Sequence, residues 1–175
     1  MLIDHIVMDL MDAAAIENGR LSLSREPVSL SDLIESTCDA QFALPDVNAN
    51  TLIYDLEPDL PLIWADPVRI EQVVTNLITN AVRHTKNGEI SVKLCRKQNL
   101  QVVGVRDSGE GMEPELADIV FRQYSSTSRD HWRHGIGLYL CRQIILAHGG
   151  DIWIASKKNE GTTATFTLPE DKRDE

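Results

Sequence analysis

The segment from residue 66 to residue 84 constrains the fold most strongly, because it predicts a long helix with two different faces. Asp66 suits the N-cap position of such a helix, and Pro67 suits its first turn. At about 100° per residue, one face is apolar and is expected to enter the core. That face comprises Ile70, Val73, Val74, Leu77, Ile78 and Ala81. An adjoining wedge of roughly 80° is polar, and it comprises Arg69, Gln72, Asn76, Asn80 and Arg83.

The polar wedge contains two asparagines four residues apart, Asn76 and Asn80. Asparagine is unfavourable inside a helix because its amide competes for backbone groups, so this pair calls for a reason. A solvated polar face is one explanation. The other is ligand binding, since a carboxamide oxygen suits Mg²⁺, which keeps several waters and takes its other oxygens from substrate phosphates. Asn80 is therefore the candidate metal ligand.

The rest of the chain alternates between strand patterns and helix patterns. Strands are predicted at residues 51–56, 62–64, 89–95, 100–107, 151–156 and 162–168. Helices are predicted near the amino terminus up to Asn18-Gly19, after a cap at Ser29 or Ser31, and from residue 135 to 148. This order predicts an α/β fold, a two-layer sandwich of a mixed or antiparallel sheet with about three helices on one face, plus an amino-terminal helix.

Three aromatic or titratable side chains receive ordinary structural interpretations. Trp64 and Trp153 fall in predicted strands and are expected in the core. His148 is expected to end the last helix as a cation, which the helix dipole favours.

The long polar stretch of residues 108–134 is expected to be a lid or binding loop, because connections of that length are usually functional.

Charge and cysteine content restrict the partners and the compartment. Lys and Arg total 17 against 27 Asp and Glu, a net charge of −10, which argues against nucleic acid as a partner. The segment between Phe121 and His134 contains three arginines and one aspartate, so a local anion site is still expected there. The three cysteines are widely spaced, which is typical of a reducing compartment. No stretch resembles a signal peptide or a membrane span of about 20 residues, so this segment is expected in the cytoplasm without direct membrane contact, although the full-length protein can be membrane-anchored.

Two glycine-containing segments carry candidate chemistry. Residues 107–112 follow an apolar strand with a glycine at every second position, which fits either a simple turn or a close approach to a ligand. In the second case Asp107 accepts a hydrogen bond from a donor such as an adenine amino group, which is worth about 1.5–3 kcal/mol for a charged acceptor. Gly135 and Gly137 are predicted to open a helix, where free amides attract phosphate.

Taken together, these segments resemble the sequence boxes of sensor histidine kinases. The matching pieces, in order, are residues 76–81 (N box), Asp107-x-Gly109-x-Gly111 (G1), Phe121 (F), Gly135-x-Gly137-Leu138 (G2) and Gly161-Thr162 (G3). The resemblance implies the Bergerat fold, with ATP and Mg²⁺ bound and the γ-phosphoryl group transferred to histidine. It also implies the end of a dimerisation helix at residues 1–19, a linker at 20–27, the ATP-binding catalytic domain at 28–169 and a charged tail at 170–175.

The resemblance assigns site residues one by one. It makes Asn76, Asn80 and Arg83 the catalytic residues. Asn80 is the Mg²⁺ ligand, and Asn76 and Arg83 contact the phosphates. Asp107 recognises adenine, and Thr162 lines the same pocket. Gly109 and Gly111 shape the floor of this pocket, and Gly135 and Gly137 hold the phosphates. The full nucleotide-binding set implied is Asn76, Asn80, Arg83, His84, Asp107, Gly109, Gly111, Met112, Arg133, Gly135, Ile136, Gly137, Leu138 and Thr162.

The chain also departs from the family pattern. His84 replaces the usual Tyr or Phe, and Arg133 stands where many relatives have a lid glycine. His5 is followed by Ile6 and lacks the family's phosphoacceptor pattern, so the acceptor histidine is expected on a dimerisation domain outside this chain, in the same protein or its dimer mate. The resemblance also implies a homodimeric full-length protein and a response regulator receiver domain as partners.

Three other functions share parts of this pattern. ATPases of the wider superfamily resemble each other in carrying a Glu four residues before the metal-binding Asn, where it activates water. Asn76 occupies that position here, and because an amide cannot take the proton, transfer is favoured over hydrolysis. A serine kinase and a nucleotide-binding module without catalysis are the remaining alternatives.

Overall fold

The computed structural model describes residues 21–44, 47, 49–113, 120–121 and 132–170. The predicted amino-terminal helix, the charged tail and most of the predicted lid lie outside these residues. The strands are β1 (Glu26–Val28), β2 (Thr51–Leu56), β3 (Ile63–Ala65), β4 (Glu89–Lys97), β5 (Leu100–Asp107), β6 (Ile152–Lys157) and β7 (Gly161–Pro169). The helices are α1 (Leu30–Phe42), α2 (Pro67–His84) and α3 (Trp132–Ala147).

The main sheet has five strands in the order β2-β4-β5-β7-β6. Strands β2 and β4 run parallel, and every other neighbouring pair in this sheet is antiparallel. A second, two-stranded sheet joins β1 to β3 in antiparallel fashion. The predicted α/β sandwich with a mixed, mostly antiparallel sheet and helices is confirmed.

Helices α1 and α2 begin where their caps predict. The Ser29 hydroxyl accepts a hydrogen bond from the backbone N–H of Asp32, and the Asp66 carboxylate accepts one from Arg69. The whole apolar face predicted for α2 is buried, and α2 packs between α1 and α3. Alternate residues of the central strands, such as Val92, Val103 and Phe166, complete the core. None of the helices in the described part of the chain is both long and apolar enough to cross a membrane.

Three predictions about individual residues were wrong. Helix α3 begins at Trp132, so Gly135 and Gly137 do not open it. The free amides of a helix belong to its first turn, whereas Gly137 lies in the interior of α3. Trp64 and Trp153 are 40% and 44% exposed, because their neighbours Ile63 and Ile152 take the inward positions of the strands.

The prediction that His148 is a cation at a helix end was also wrong. Its side chain is 3% exposed, and its Nε2 accepts a hydrogen bond from the backbone N–H of Asp66 at 3.0 Å. An acceptor nitrogen carries no proton, and burial, the larger cause, lowers the pKa of the imidazole. His148 is therefore a neutral, structural residue.

Candidate functional site

The polar wedge of α2 lies at the edge of the core, as predicted. Asn76 and Asn80 are half-buried, and Arg83 and His84 are exposed at the end of the helix. With a rise of about 1.5 Å per residue, Asn80 and Asn76 lie about 6 Å and 12 Å from His84 along the helix axis. The part of the wedge from Asn76 to Arg83, together with His84 at the end of the helix, forms an extended polar strip.

Helix α3 meets the far end of this strip at Asn76. A Cβ atom built on Gly137 would lie 3.6 Å from Cγ of Asn76 and 3.7 Å from both its terminal atoms. The Nδ2 atom of Asn76 is buried and has no hydrogen-bond partner among the described residues. A buried donor without a partner is costly, and it marks the place where a bound oxygen would restore the missing hydrogen bond.

Asp107 forms the near end of the site, at the last position of β5. It is 6% exposed and stands opposite Ile90 of β4 and Thr162 of β7 in the sheet. Its Oδ1 accepts a hydrogen bond from the backbone N–H of Gly109 at 2.9 Å. Burial raises the pKa of this carboxyl, while the backbone N–H groups of Gly109 and Thr162 and the charge of His84 act in the opposite direction.

Two hydroxyl residues at the same end were not predicted. Thr85 is 1% exposed, and its hydroxyl lies beside the Asp107 carboxylate, where it acts to lower the pKa of that carboxyl. Ser156 accepts a hydrogen bond from the backbone N–H of Met112 at 2.8 Å, and its hydroxyl lies 2.8 Å from that of Thr162. Single hydroxyl residues carry no spacing signal, so the sequence offered no way to find them.

The glycines of the loop after β5 are required by close backbone contacts. A Cβ on Gly109 would lie 2.1 Å from the backbone oxygen of His84. Gly111 has φ +63, and a Cβ there would lie 2.0 Å from the backbone oxygen of Lys157. Between them, Glu110 binds Nδ1 of His84 at 2.9 Å through its side chain. The loop is thus held between the end of α2 and the β6–β7 turn.

These contacts unite most of the predicted residues in two groups. One group joins Asn76 to Gly137, and the other joins His84, Asp107, Gly109, Gly111, Met112 and Thr162. Leu138 is half-buried next to Gly137, and Arg83 faces solvent. Arg133, Gly135 and Ile136 lie in the first turns of α3, and the placement of their side chains is outside the description.

The arrangement offers the buried Asp107 acceptor with the Thr85 hydroxyl beside it at one end, and the carboxamides of Asn76 and Asn80 toward the other. Among the described residues, no group of three His, Cys, Asp or Glu side chains is placed to hold a metal ion. A metal that needs three such ligands therefore has no site among the described residues. One that takes most of its oxygens from a bound phosphate and water does not need such a group.

Comparison with known proteins gives consistent matches. The family model described as histidine kinase-, DNA gyrase B- and HSP90-like ATPase matches residues 65–172. The adaptive-response sensory kinase SasA of Synechocystis sp. is 31% identical over 172 residues, which cover 96% of this chain and 45% of that protein. The SasA protein of Gloeothece citriformis is 33% identical over 175 residues and is covered to 44%. This chain thus spans less than half the length of these relatives.

Solved structures match the fold. The histidine kinase AdeS of Acinetobacter baumannii has a TM-score of 0.80 at 24% identity, over 98% of this chain and 80% of that one. The catalytic domain of the histidine kinase ThkA has a TM-score of 0.72 at 27% identity, over 86% of this chain and 97% of that one. A structure of ThkA in complex with the response regulator protein TrrA has a TM-score of 0.75 at 23% identity, over 99% of this chain and 50% of that one.

Proposed function

Because this chain belongs to the histidine kinase-, DNA gyrase B- and HSP90-like ATPase family, an ATP-binding family, we propose that it is the catalytic part of a sensor histidine kinase. In this proposal it transfers the γ-phosphoryl group of ATP to a histidine on a dimerisation domain outside the chain. The names of the matched relatives support a kinase. The observation that carries the proposal is that the α2 strip has the buried Asp107 carboxylate at one end and the unpartnered Asn76 amide at the other.

Adenine is the ligand that suits the Asp107 end. Its exocyclic amino group donates a hydrogen bond to the carboxylate, while a base with a carbonyl in that place meets a second acceptor. The buried Thr85 hydroxyl beside Asp107 supplies one more polar contact for a ring nitrogen or a bridging water. A hydrogen bond to a charged group is worth about 1.5–3 kcal/mol, which sets the expected preference for adenine over such a base.

The triphosphate suits the Asn end of the strip. The Nδ2 atom of Asn76 donates to a phosphate oxygen and so gains the partner that it lacks. The oxygen of Asn80 serves as the single protein ligand to Mg²⁺, a number that this ion accepts because phosphate oxygens and waters fill the rest of its shell. When bound, Mg²⁺ neutralises charge on the phosphates. Arg83, exposed on the same strip, adds a positive charge near the same group.

Transfer to histidine fits the residues better than hydrolysis does. In the transfer, the bond from the γ-phosphorus to the ADP oxygen breaks and a bond to an imidazole nitrogen of the acceptor forms. Phosphoryl transfer demands mainly positioning and charge neutralisation, which the strip provides. Hydrolysis needs a base that takes a proton from water, and Asn76 cannot do so.

The direct test is to mix this chain with a separately purified dimerisation domain that contains the acceptor histidine, in the presence of Mg²⁺ and γ-labelled ATP. We expect label on the acceptor in an acid-labile, base-stable form, as for a phosphorus–nitrogen bond. An Asp107→Asn chain serves as the matched control and should transfer less label when the ATP concentration is below the wild-type dissociation constant.

Other outcomes would contradict the proposal in identifiable ways. Release of free phosphate without a labelled acceptor would indicate an ATPase, and acid-stable label would indicate a serine kinase. ATP binding without either reaction would indicate a module that only relays conformation.

The remaining partners follow from the same proposal. We infer that the full-length protein is a homodimer, with this part in the cytoplasm, and that the phosphorylated histidine passes its group to the receiver domain of a response regulator. The complex of ThkA with TrrA supports a partner of that kind. The free thiols of Cys38, Cys95 and Cys141 support a reducing compartment.

A further inference from the structure

His148 is a buried titratable residue that the proposed reaction does not use. Both nitrogens of its imidazole are engaged, because Nε2 accepts from the backbone N–H of Asp66 at 3.0 Å and Nδ1 donates to the backbone oxygen of Ile144 at 2.8 Å. This pattern fixes one neutral tautomer. His148 thereby joins the end of α3 to the beginning of α2, the two helices that carry Gly137 and Asn76.

The same junction holds the linker that precedes β1. The backbone N–H of Ser24 donates to Oδ2 of Asp66 at 2.8 Å, and the guanidinium of Arg25 donates to the backbone oxygen of Ala147 at 2.8 Å. We call Asp66, Ala147 and His148 the linker seat. Asp66 is its central member, because Oδ1 caps α2 through Arg69 at 3.1 Å while Oδ2 binds the linker.

Protonation of His148 would place two donors against each other. The Nε2–H group would face the backbone N–H of Asp66, which would then lose its acceptor. The charged groups that act on the imidazole are Asp66 at the start of α2 and Arg25 in the linker. The imidazolium would attract the Asp66 carboxylate away from Ser24 and would repel the guanidinium of Arg25, so both linker contacts would weaken together.

We propose that His148 is a pH-sensitive latch that keeps the linker on its seat when neutral and releases it when protonated. Burial and the nearby Arg25 charge both keep the imidazole neutral near pH 7, so the seated form is the resting state. The linker leads to the segment whose sequence predicts a dimerisation helix. The latch would therefore set how firmly the catalytic domain is held to that helix, independently of whether ATP binds.

Nuclear magnetic resonance of the ¹⁵N-labelled chain tests the latch. The Ser24 amide reports the linker, the His148 ring proton reports the imidazole, and the Val103 amide in β5 reports the folded sheet. On acidification below the ordinary histidine pKa of about 6.5, we expect the Ser24 and His148 signals to titrate with the same midpoint while Val103 is unchanged. The proposal would be overturned if the Ser24 signal kept its neutral-pH position until the Val103 signal also changed.

Variants separate the latch from general acid sensitivity. In His148→Gln the side-chain oxygen can accept from the Asp66 N–H without titrating, so Ser24 should stay seated at acid pH. In Arg25→Ala the Ser24 signal should move toward its released position already at neutral pH. If His148→Gln released the linker with the wild-type pH profile, the latch would be refuted. Should that variant fail to fold, unequal midpoints for Ser24 and His148 in the wild-type chain would refute it equally.

Discussion

Gly137 of α3 lies against the carboxamide of Asn76 of α2, at a distance of 3.6 Å between a Cβ built on the glycine and Cγ of the asparagine. This contact brings the two sequence segments proposed to hold phosphate to one place, although they are far apart in the chain. It also explains why a glycine occurs inside a helix, since a larger side chain there would displace the amide.

Substitution of Gly137 should therefore separate stability from binding. Gly137→Ala places a methyl group at an ordinary contact distance and should raise the free energy of unfolding by about 0.5–1 kcal/mol, because glycine is unfavourable within a helix. Gly137→Val should push the Asn76 amide aside and weaken ATP binding by about 2- to 10-fold, the value of one hydrogen bond. Urea unfolding and calorimetric titration measure both. A less stable Gly137→Ala would contradict the helix described here.

Removal of the Asn80 carboxamide should abolish only the metal-dependent part of ATP affinity. Wild-type affinity should be higher with Mg²⁺ than with a chelator, and Asn80→Ala should show the lower affinity in both conditions. Glu71→Ala is the matched control, because Glu71 is exposed on the opposite side of α2 and should leave both values unchanged. Retention of the Mg²⁺ effect in Asn80→Ala would remove this residue as a metal ligand.

The two glycines around β5 should respond differently to the same substitution. In Gly109→Ala the new Cβ meets the backbone oxygen of His84 at 2.1 Å, which should destabilise the fold by about 1–3 kcal/mol and loosen the loop after β5. In Gly104→Ala the nearest atom is the Thr165 hydroxyl at 3.8 Å, so stability should change by less than about 0.5 kcal/mol. Equal urea midpoints for the two variants would contradict the described loop.

The buried Asp107 carboxyl predicts a pH dependence of ATP affinity. Burial raises its pKa above 3.8, so the ionised acceptor is fully present above the raised pKa and is lost as the pH falls through it. ATP affinity should therefore decline at a higher pH than an ordinary aspartate would cause. Titrations from about pH 7 down to the ordinary aspartate pKa of about 3.9 measure this, and Asp107→Asn controls for protonation of the phosphates. The same profile for both proteins would refute the assignment.

The same carboxyl has the opposite effect on stability. Between 3.8 and the raised pKa the folded chain binds a proton more readily than the unfolded chain, so the contribution of Asp107 to stability increases as the pH falls through this window. Loss of ATP affinity there is consequently not a sign of acid unfolding. Thermal unfolding at each pH distinguishes the two effects.

Local sequence signals predicted the elements whose ends are marked by capping, proline or turn residues. Helix α2 was placed correctly at both ends because Asp66 and Pro67 mark its start and its apolar residues recur at helical spacing. Strands β4 and β5 were placed to within two residues because apolar residues alternate on either side of a short polar segment, where Gln98 has φ 57. The start of α3 was misplaced because glycines usually interrupt helices. Only the contact with Asn76 shows why Gly137 is tolerated inside α3.

Features that depend on distant contacts were not predictable. Apolar residues stand on both sides of Trp153, so alternation could not show which face of β6 is inward. The neutral state of His148 depends on a hydrogen bond to Asp66, which is 82 residues away in sequence. Thr85 and Ser156 join the site only because the ends of α2, β5 and β6 converge.

The most direct test of the whole account is calorimetric titration of Mg²⁺–ATP into wild-type chain and Asp107→Asn. Asp55→Asn is the control, since it removes a carboxylate from an exposed ion pair with Lys93 on β2 and β4. We predict an affinity about 10- to 100-fold lower for Asp107→Asn than for the wild type, with an unfolding transition that remains cooperative and no change for Asp55→Asn. Equal ATP affinity in Asp107→Asn and wild type would contradict the claim that Asp107 holds the adenine of a bound ATP.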